Sequence, residues 1–571
     1  MVFYSNMQRN NVLTALSEQL NIPIDQLDSL LTKPKDPSFG DITLPVFSLA
    51  KGSNPVQLAQ EMAQKIENIA LFSEVTVAGP YINIFFHQTE QSQSVIESIL
   101  TKKEQYGAQQ PEKKTYVIDY SAPNIAKPFG IGHLRSTVIG NAVQKSLSFF
   151  GHKVIGINYI GDWGTQFGKV ICAYQKWGDE VELEKAPVAY LLELYVKFHK
   201  EAENDETLND EAREIFAQLE QGNKEYLALW KRFRSLSITE FDKMYELMNI
   251  TFDEVRGESY YNEKVIDAQK LLEEKGLLTL SDGAQIIDFE KFNSKLPPII
   301  MVKSNGASTY ALRDVAAAID RVESFTAEYL LYEVGAEQKL HFQQLQKTLE
   351  LLGYEWAKNI THIDHGFYRF ENQKFSTRKG NIVLMEDVVN ESISKVKELM
   401  SEKNPDLVAS DEFETIAKHV GVSAIIFYDM KNDRVKDVNF DWNAVLDFQG
   451  ESGPYLQYTH ARLCSILRKF GDTLPTNINY DRLKEEQERL LLTHLGSFSE
   501  AIEQSLKQYK PHVVARYVLE LSQLCNNYYA KNPIISEDEE LTHARIVLMY
   551  CVRQVLQNGL RLLGITPVTQ M

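Results

Sequence analysis

A short segment of the chain, residues 124–137 (NIAKPFGIGHLRST), brings together groups that could hold a phosphate. Gly130 and Gly132 carry no side chain, so the backbone there can approach a ligand closely. His133 could donate a hydrogen bond to a phosphate oxygen, and Lys127 supplies a mobile positive charge. These residue types, in this order, predict a site for a phosphate or another anion.

Two common phosphate-binding motifs do not fit this segment. In the dinucleotide-binding pattern GxGxxG the third glycine would fall at Arg135, and the pattern GxxxxGK[ST] occurs nowhere in the chain. On spacing alone, an ordinary turn between a strand and a helix, with a histidine at the surface, is the alternative to a phosphate site.

A strand, a helix and a second strand are predicted around this segment. The apolar run 116–120 (YVIDY) is typical of a buried strand, and residues 133–150 place apolar side chains at helical spacing before Gly151. Residues 153–161 (KVIGINYIG) form the next strand. A glycine-rich turn at a helix N-terminus presents free N–H groups and the positive end of the helix dipole to an anion. A βαβ unit of this kind predicts a doubly wound parallel sheet.

Composition limits the classes of protein to consider. The chain has 571 residues, of which 44% are hydrophobic and 24% charged, enough for about three domains. The net charge of −18 argues against a non-specific nucleic-acid binder and suits a cationic small substrate. Acidity that serves solubility alone is the alternative.

Cysteine usage and hydropathy indicate the compartment. The four cysteines are far apart and form no CxxC pair, which argues against a structural zinc site and a disulfide framework. The N-terminus does not resemble a signal peptide, and no apolar run reaches about 18 residues. We therefore expect a cytoplasmic protein with no membrane partner.

The chain divides into three predicted domains. Residues 1–110 combine helix-period and strand-like runs and predict an α+β domain. Residues 111–445 contain the βαβ unit, with long amphipathic helices inserted at about 170–270. Residues 446–571 are almost entirely helical in pattern. Individual predicted elements are helices at 55–66, 310–322, 490–506, 513–527 and 541–563 and strands at 74–79, 81–86, 297–304 and 327–335.

The segment around the phosphate turn resembles the signature region of arginyl-tRNA synthetases, a family of class I aminoacyl-tRNA synthetases. The similarity is carried first by residues 121–142 (SAPNIAKPFGIGHLRSTVIGNA) and 161–168 (GDWGTQFG). It runs from about residue 35 to the C-terminus in the family's order. Further matching segments are 308–321, 334–345, 374–381, 440–469 and the tail LRLLGITPVTQM.

The resemblance implies a fold and a reaction. The fold is an α/β Rossmann-like core with a doubly wound parallel sheet, an N-terminal α+β domain that contacts tRNA and an all-α C-terminal anticodon-binding domain. The reaction joins L-arginine and ATP, supplied with Mg²⁺, to give arginyl-adenylate and pyrophosphate. The arginyl group then passes to the 3′-terminal adenosine of tRNA(Arg), and bound tRNA is usually needed for the first step. We expect no editing domain and a monomer.

The first class motif, His-x-Gly-His, implies one part of the ATP site. His133 matches the second histidine, but Gly130 stands where the first is found. Pro128 and Gly132 complete the implied ATP contacts. In many arginyl enzymes a lysine just before this motif replaces a missing catalytic lysine elsewhere, and Lys127 occupies that place.

The second class motif, Lys-Met-Ser-Lys-Ser, is also altered. Lys374 and Ser376 are kept, whereas Thr377 stands where the usual catalytic lysine falls. By resemblance Lys374 is catalytic and Ser376 contacts ATP. Arg378 and Lys379 could also reach the pyrophosphate. A solvated basic loop without this role is the alternative.

An arginine pocket should contain carboxylates, because they pair best with a planar guanidinium. Asp314 lies four residues after Tyr310, so the two share a helix face. Asp119 ends the first strand, where doubly wound sheets bind ligands. The alternatives are an ion pair of Asp314 with Arg313 or Arg321, and a helix N-terminal charge for Asp119. By motif match the pocket residues are Asp119, Ser121, Asn124, Tyr310, Asp314 and Gln338.

Two surfaces are candidates for tRNA. Tyr455, Tyr458 and Arg462 fall at positions i, i+3 and i+7 of a predicted helix and suit the stacking of unpaired anticodon-loop bases. Tyr81 and Asn83 match a stretch that in some relatives reads a base of the D-loop. The alternative in both places is a residue of the protein core.

Two other functions stay open at this point. One is another class I synthetase or an adenylyltransferase, against which the helical C-terminal domain and the acidic pocket argue. The other is a catalytically impaired, synthetase-like RNA-binding paralogue, which the two altered motifs favour. The presence of Asn124, Lys127 and His133 argues against that paralogue.

Overall fold

The chain is built around a parallel sheet, with an α+β unit before it and a helical unit after it. The computed structural model describes residues 6–32, 34, 36, 39–109, 111–125, 127, 129–370, 373–374, 383–471 and 473–571. No helix among these residues is both long and apolar enough to cross a membrane.

Among its described residues, the N-terminal unit combines an antiparallel sheet of three strands with four α-helices. Its helix at 55–66 begins as predicted, because the Asn54 side chain accepts the Val56 N–H (3.0 Å) and Pro55 fits the first turn. The elements are α1 (Asn6–Leu20), α2 (Ile24–Leu30), β1 (Ile42–Pro45), α3 (Pro55–Ile66), β2 (Phe72–Ala78), β3 (Tyr81–Phe86) and α4 (Gln88–Lys102). The sheet order is β1-β3-β2.

The central unit alternates strands and helices. It opens with β4 (Thr115–Asp119), α5 (Leu134–Phe150), β5 (Lys153–Asn158), α6 (Thr165–Trp177), α7 (Glu180–Lys185), α8 (Pro187–Ala202), α9 (Thr207–Glu220), α10 (Lys224–Leu247), β6 (Glu254–Val255) and α11 (Asn262–Glu274). It continues with β7 (Thr279–Ser281), β8 (Ala284–Ile287), β9 (Ile299–Val302), α12 (Tyr310–Phe325), β10 (Tyr329–Gly335), α13 (Lys339–Leu352) and β11 (Ile360–His365). It closes with β12 (Tyr368–Phe370), β13 (Gln373–Lys374), α14 (Met385–Lys403), α15 (Pro405–Val408), α16 (Phe413–Met430), β14 (Val438–Phe440) and α17 (Trp442–Val445).

Five of these strands form one parallel sheet in the order β11-β10-β4-β5-β6. The chain starts in the middle, at β4, runs outward through β5 and β6, and returns to place β10 on the other side of β4. The strand order therefore reverses between β4 and β10, and doubly wound sheets bind ligands beyond the carboxyl ends of the strands at such a reversal. Asp119, the last residue of β4, lies at this point.

Strand β4 is buried on both faces, because helices cover each side of the sheet. Ile118 belongs to the core that includes α5, and its neighbour Val117 belongs to the core that includes α12. Helix α5 ends at Gly151, whose φ of 113° gives a left-handed cap. The predicted β-α-β unit and its terminal glycine are confirmed.

The region after the inserted helices differs from the sequence pattern in one respect. The predicted strand at 297–304 is present as β9, but it lies in a separate antiparallel sheet of order β7-β8-β9. The sequence did not indicate the β7–β8 hairpin, because strands of three and four residues are too short to show an alternating pattern.

The C-terminal unit is helical, as predicted, with one correction. The single helix predicted at 490–506 is wrong, because the chain breaks at Ser497. The Ser497 hydroxyl donates to the His494 carbonyl (2.9 Å), a local bond that competes with a continuous helix. The helices are α18 (Gly453–Phe470), α19 (Glu486–Gly496), α20 (Phe498–Lys507), α21 (His512–Lys531) and α22 (Glu539–Leu562).

One apolar core runs through all three units. It includes residues of α1, α5 and α22 among its members. Where the units meet, the Phe498 ring lies so close to Gly107 that a Cβ on the glycine would come within 2.5 Å of it. The Tyr106 hydroxyl also donates to the Leu495 carbonyl (3.0 Å). The end of the N-terminal unit is therefore packed into the C-terminal helices.

Candidate active site

The turn after β4 is tied to the start of helix α14. The Ile131 N–H donates to the Val383 carbonyl (2.9 Å), and Gly130 forms a β-bridge with Leu384. Val383 comes two residues after the segment 374–381 that resembles the second class motif. The chain that follows this segment therefore returns to the phosphate turn that carries the first motif.

Two residues directly after β4 have a strained backbone. Ser121 and Ala122 have φ angles of 72° and 45°, and each such non-glycine residue costs on the order of 1–3 kcal/mol. Ser121 is 4% exposed, and its Oγ lies 2.8 Å from both Thr137 Oγ1 and the Tyr245 hydroxyl. These contacts hold the turn in place, so the structure gives Ser121 a supporting position beneath it.

His133 stands at the junction between the turn and helix α5. Its Nδ1 lies 3.3 Å from the Gly130 carbonyl, and its ring packs 5.4 Å from that of Phe129. Burial lowers the pKa of His133, and the nearby charge of Lys127 lowers it further. Nδ1 therefore carries the proton of a neutral ring, and the ring is oriented by the turn itself.

Gly132 lies one residue before this histidine, on the exposed side of the turn. A Cβ built there would meet no atom within 4 Å. Lys127 is also exposed. The side of the turn that carries these two residues is thus open to a ligand.

The carboxylate of Asp119 is buried beside a guanidinium of the chain itself. Its Oδ2 lies 2.7 Å from Arg321 Nη2, and the exposed fractions of the two side chains are 5% and 1%. The rings of Tyr159 and Tyr332 lie 5.1 and 5.3 Å from the guanidinium carbon. Burial raises the pKa of Asp119 to about 6, although Arg321 opposes that shift. The sequence had suggested Arg321 as one possible ion-pair partner of Asp314, but Arg321 pairs with Asp119 instead.

Asp314 has a histidine partner and faces the same region. Its Oδ2 lies 2.7 Å from His341 Nε2, and 19% of its side chain is exposed. The ring of Tyr310, one turn earlier on α12, lies 4.9 Å from that of His341 and is 59% exposed. The negative charge of Asp314 contributes to the raised pKa of Asp119, so the two carboxylates lie within electrostatic reach.

The sequence patterns did not identify a third carboxylate in this region. Glu258 begins a short helical turn after β6, and burial raises its pKa to about 7. Asp314 raises this pKa further, whereas Arg313 lowers it. Glu258 belongs to no periodic element and to no segment quoted for the family resemblance. Only the tertiary structure reveals its position, because the sheet brings the end of β6 to the edge where β4 ends.

The other predicted pocket residues lie around these carboxylates at differing exposure. Asn124 pairs with Gly161 in a parallel β-bridge, and a Cβ on that glycine would lie 2.3 Å from the Asn124 Oδ1. The Asn124 amide therefore depends on a glycine at position 161. Gln338 ends a short helical turn directly after β10 and is exposed.

The predicted aromatic stripe lies on helix α18 and borders a cavity of about 580 Å³. Tyr458 is 40% exposed, and the guanidinium carbon of Arg462 lies 4.6 Å from its ring centre. Tyr455 is half-buried, and its hydroxyl accepts a hydrogen bond from the Asn526 amide (2.9 Å). Arg462 also donates to Asn526 (3.1 Å). Other lining residues are Met400, Asn404, Phe448, Gln449 and Met571.

The second predicted RNA surface is on strand β3. Tyr81 is 41% exposed, and its ring meets that of Phe47 edge-on at 5.4 Å. Asn83 is only 4% exposed, because its strand lies between β1 and β2. Of the two residues, Tyr81 is the one that an RNA base could contact.

Three family models match the chain in order. A model for the N-terminal domain of arginyl tRNA synthetases matches residues 7–86, and one for the catalytic domain of class I tRNA synthetases (R) matches residues 95–442. A DALR anticodon binding domain model matches residues 456–571. The chain belongs to the arginyl-tRNA synthetase family. The predicted family and fold class are confirmed.

Curated arginyl-tRNA synthetase relatives match along nearly the whole chain. An arginine–tRNA ligase of Clostridioides difficile is 43% identical and is aligned over 96% of both chains. One from Clostridium perfringens is also 43% identical, over 98% of this chain and 99% of its own. The Thermus thermophilus arginyl-tRNA synthetase structure shares the fold, with a TM-score of 0.82, 23% identity and coverage of 99% and 100% of the two chains.

Four of the site residues predicted for an arginyl-tRNA synthetase are not among the residues that the structure describes: Pro128, Ser376, Arg378 and Lys379. Lys374 is described only as the end of strand β13. Their roles stay predictions.

A buried charge network anchors the first turn of helix α5 to helix α16. Arg135 Nε donates to Asp429 Oδ2 (3.0 Å), and both side chains are 1% exposed. The Arg135 guanidinium also donates to the Gly366 carbonyl (3.1 Å). The neighbouring His365 lies 2.8 Å from Glu333. Burial opposes a positive charge on His365, but Glu333 outweighs it and raises the pKa of His365.

We expect Arg135→Met to destabilise the protein by about 3–5 kcal/mol, because it leaves Asp429 buried without a counter-charge. Urea unfolding curves measure the change. The control is Lys347→Met, which removes a half-exposed partner of Glu350 and should change stability by less than about 0.5 kcal/mol. Replacing Asp429 by Leu in the Arg135→Met background should restore part of the loss. Equal stability of the two single variants would contradict the role of this network.

Proposed function

We propose that this chain is an arginine–tRNA ligase. It activates L-arginine with ATP to arginyl-adenylate and pyrophosphate, and it transfers the arginyl group to the 3′-terminal adenosine of tRNA(Arg). Activation depends on bound tRNA. The observation that carries the proposal is the position of an open phosphate turn and a cluster of carboxylates at one edge of the sheet, where the strand order reverses.

The first step needs positioning and charge stabilisation more than it needs a covalent enzyme intermediate. A carboxylate oxygen of arginine bonds to the α-phosphorus of ATP, and the bond from that phosphorus to the bridging oxygen breaks, so pyrophosphate leaves. Negative charge builds on the phosphate oxygens, and oriented cations and N–H groups stabilise it. Gly132 and Lys127 offer such groups on the open side of the turn, and His133 lies next to Gly132 at the start of α5.

The neutral state of His133 sets its part in this step. Because its Nδ1 proton lies toward the Gly130 carbonyl, its Nε2 would donate to a phosphate oxygen only after the ring gains a second proton. A polyphosphate nearby favours that charge. Lys127, which lowers the pKa of His133 in the free protein, would instead pair with the phosphates, and we assign it the place of the missing lysine in the second motif.

The carboxylate cluster provides the arginine pocket. Asp119 is already paired with Arg321, so Asp314 and Glu258 are the groups that we assign to the guanidinium of the substrate. The exposed Tyr310 ring, Asn124 and Gln338 border the same region and complete the proposed pocket. Lysine cannot form the paired contacts of a planar guanidinium, and an uncharged side chain would leave a buried carboxylate unpaired.

The second motif and the metal complete the proposed ATP site. We propose that Lys374, Ser376, Arg378 and Lys379 contact the phosphates, which the bridge between Gly130 and Leu384 supports. We propose that Pro128, two residues before Gly130 in the sequence, also contacts ATP. Mg²⁺ would arrive with ATP and add positive charge to its phosphates. The described residues contain no group of three or more His, Cys, Asp or Glu side chains suited to a metal, so the nucleotide would supply most of its ligands.

The RNA contacts and the assembly follow the same proposal. Tyr455, Tyr458 and Arg462 would receive unpaired anticodon bases beside the 580 Å³ cavity, and Tyr81, with Asn83 behind it, would face the D-loop. We place the domain boundaries at 110/111 and 445/446 and propose that the chain acts as a monomer in the cytoplasm.

The proposal predicts which amino acid supports exchange between ATP and pyrophosphate. Across the twenty amino acids, exchange should occur with arginine alone and only when cognate tRNA is present. The measurement is incorporation of labelled pyrophosphate into ATP, with and without tRNA. Exchange with lysine or glutamine would remove arginine as the substrate. Tight tRNA binding without any exchange would favour the catalytically impaired paralogue.

Arginine binding should release protons near pH 6.5. The carboxyls of Glu258 and Asp119 have pKa values of about 7 and 6, so both are partly protonated there. A bound guanidinium favours their charged forms and lowers both pKa values, so protons leave and arginine affinity rises with pH up to about 7. Calorimetry in two buffers of different ionisation enthalpy counts the protons. Glu258→Gln should lose most of this release, and an unchanged count in the variant would exclude Glu258 from the pocket.

Tyr458→Ala should weaken tRNA binding about 5- to 150-fold, because stacking of one base on an aromatic ring contributes about 1–3 kcal/mol. Tyr458→Phe keeps the ring and loses only the hydroxyl that accepts from Arg462, so it should retain most of the affinity. Fluorescence anisotropy with labelled tRNA measures both. Native affinity in Tyr458→Ala would place the anticodon elsewhere.

A further inference from the structure

A large cleft lies away from the candidate active site, where the three units meet. This interdomain cleft has a volume of about 900 Å³. Helix α5 contributes Asn141, Gln144 and Lys145 to its lining. Helix α22 contributes Arg553 and Arg561, and the chain that follows α22 completes that side.

Positive charge collects in the interdomain cleft of a strongly acidic protein. The chain contains 78 acidic and 60 basic residues, yet the described lining residues include three cations and a single carboxylate. That carboxylate, Glu104, lies 3.7 Å from Arg561. The positive charges of Lys145 and Arg553 therefore have no carboxylate of their own among the lining residues.

Lys145 is the most informative of the three cations. It is half-buried on α5, and burial alone lowers its pKa, with no nearby carboxylate opposing the shift. Desolvating an ammonium group without a counter-charge is unfavourable. An anion bound in the cleft would remove that cost.

Arg553 is held in place before any ligand arrives. Its Nη1 donates to the Gln557 side chain one turn further along α22, and its guanidinium carbon lies 4.7 Å from the Tyr550 ring centre. A cation that is already oriented loses less conformational entropy when it binds an anion. On the α5 side, Phe149 lines the cleft and offers an aromatic ring.

We propose that the interdomain cleft binds a small phosphate-bearing anion of about nucleotide size. Guanidinium and ammonium groups on two helices that line one cleft match the spread negative charge of an oligophosphate. The phosphates of tRNA carry the same chemistry, so the test below separates the two sources. We assign a free small anion, because the volume of about 900 Å³ is in the range of small-ligand pockets.

Calorimetric titration of the full-length chain with inorganic tripolyphosphate tests the proposal. The active site is first filled with a sulfamoyl analogue of arginyl-adenylate, which carries no phosphate, so that the blocking ligand does not compete with the probe for the cleft. Native protein should bind one equivalent. Lys145→Gln and Arg553→Gln should each weaken that binding about tenfold or more, because each removes a charged partner of the phosphates.

Lys243→Gln is the matched control, since Lys243 pairs with Glu240 on the exposed face of α10 and should leave the affinity unchanged. Lys145 makes no side-chain hydrogen bond in the described structure, so its variant keeps the test valid if Arg553→Gln fails to fold. No tripolyphosphate binding with the active site filled, or equal binding by Lys145→Gln, would overturn the proposal. A loss of tRNA affinity in Lys145→Gln, measured by anisotropy, would assign the cations to tRNA instead and overturn it as well.

Discussion

The ion pair between Asp119 and Arg321 is the contact on which the geometry of the site depends. Asp119 ends the central strand, and Arg321 lies on helix α12, two turns after Asp314. Residues seven apart share a helix face, so a pair that fixes Arg321 also turns Asp314 toward the end of β4. A buried pair contributes little net stability, but losing either partner is costly. The rotation of α12 about its axis is therefore strongly constrained.

This pair also explains how an acidic pocket can distinguish its own guanidinium from that of a substrate. Arg321 is enclosed by Tyr159 and Tyr332 and neutralises Asp119. The carboxylates that are less fully matched, Asp314 and Glu258, lie nearer to solvent. The internal cation thus stabilises a dense group of negative charges in the absence of arginine and leaves two of them for the arginine pocket that we propose.

The sequence predicted those helices and strands whose apolar residues recur at a regular spacing. The apolar run of β4 and the helical spacing of apolar residues in α5 were long enough to be recognised. The glycine at position 151 marked the end of α5. The β7–β8 hairpin is too short for a period, and the break at Ser497 depends on one hydroxyl. In the candidate active site, the residues that belong to contiguous sequence motifs could be proposed from the sequence. The partner of Asp119 and the place of Glu258 could not, because both depend on which distant elements the sheet brings together.

The contact between Phe498 and Gly107 has a consequence for how this chain can change over evolution. A domain can be recombined between different proteins only if exposing its interface to water costs little free energy. Here the Phe498 ring of the C-terminal unit fills the space beside Gly107, which lies between the N-terminal and central units. Apolar side chains from all three units form one core. Loss of the C-terminal helices would expose that shared core to water. The anticodon-binding domain and the catalytic domain are therefore expected to be inherited together.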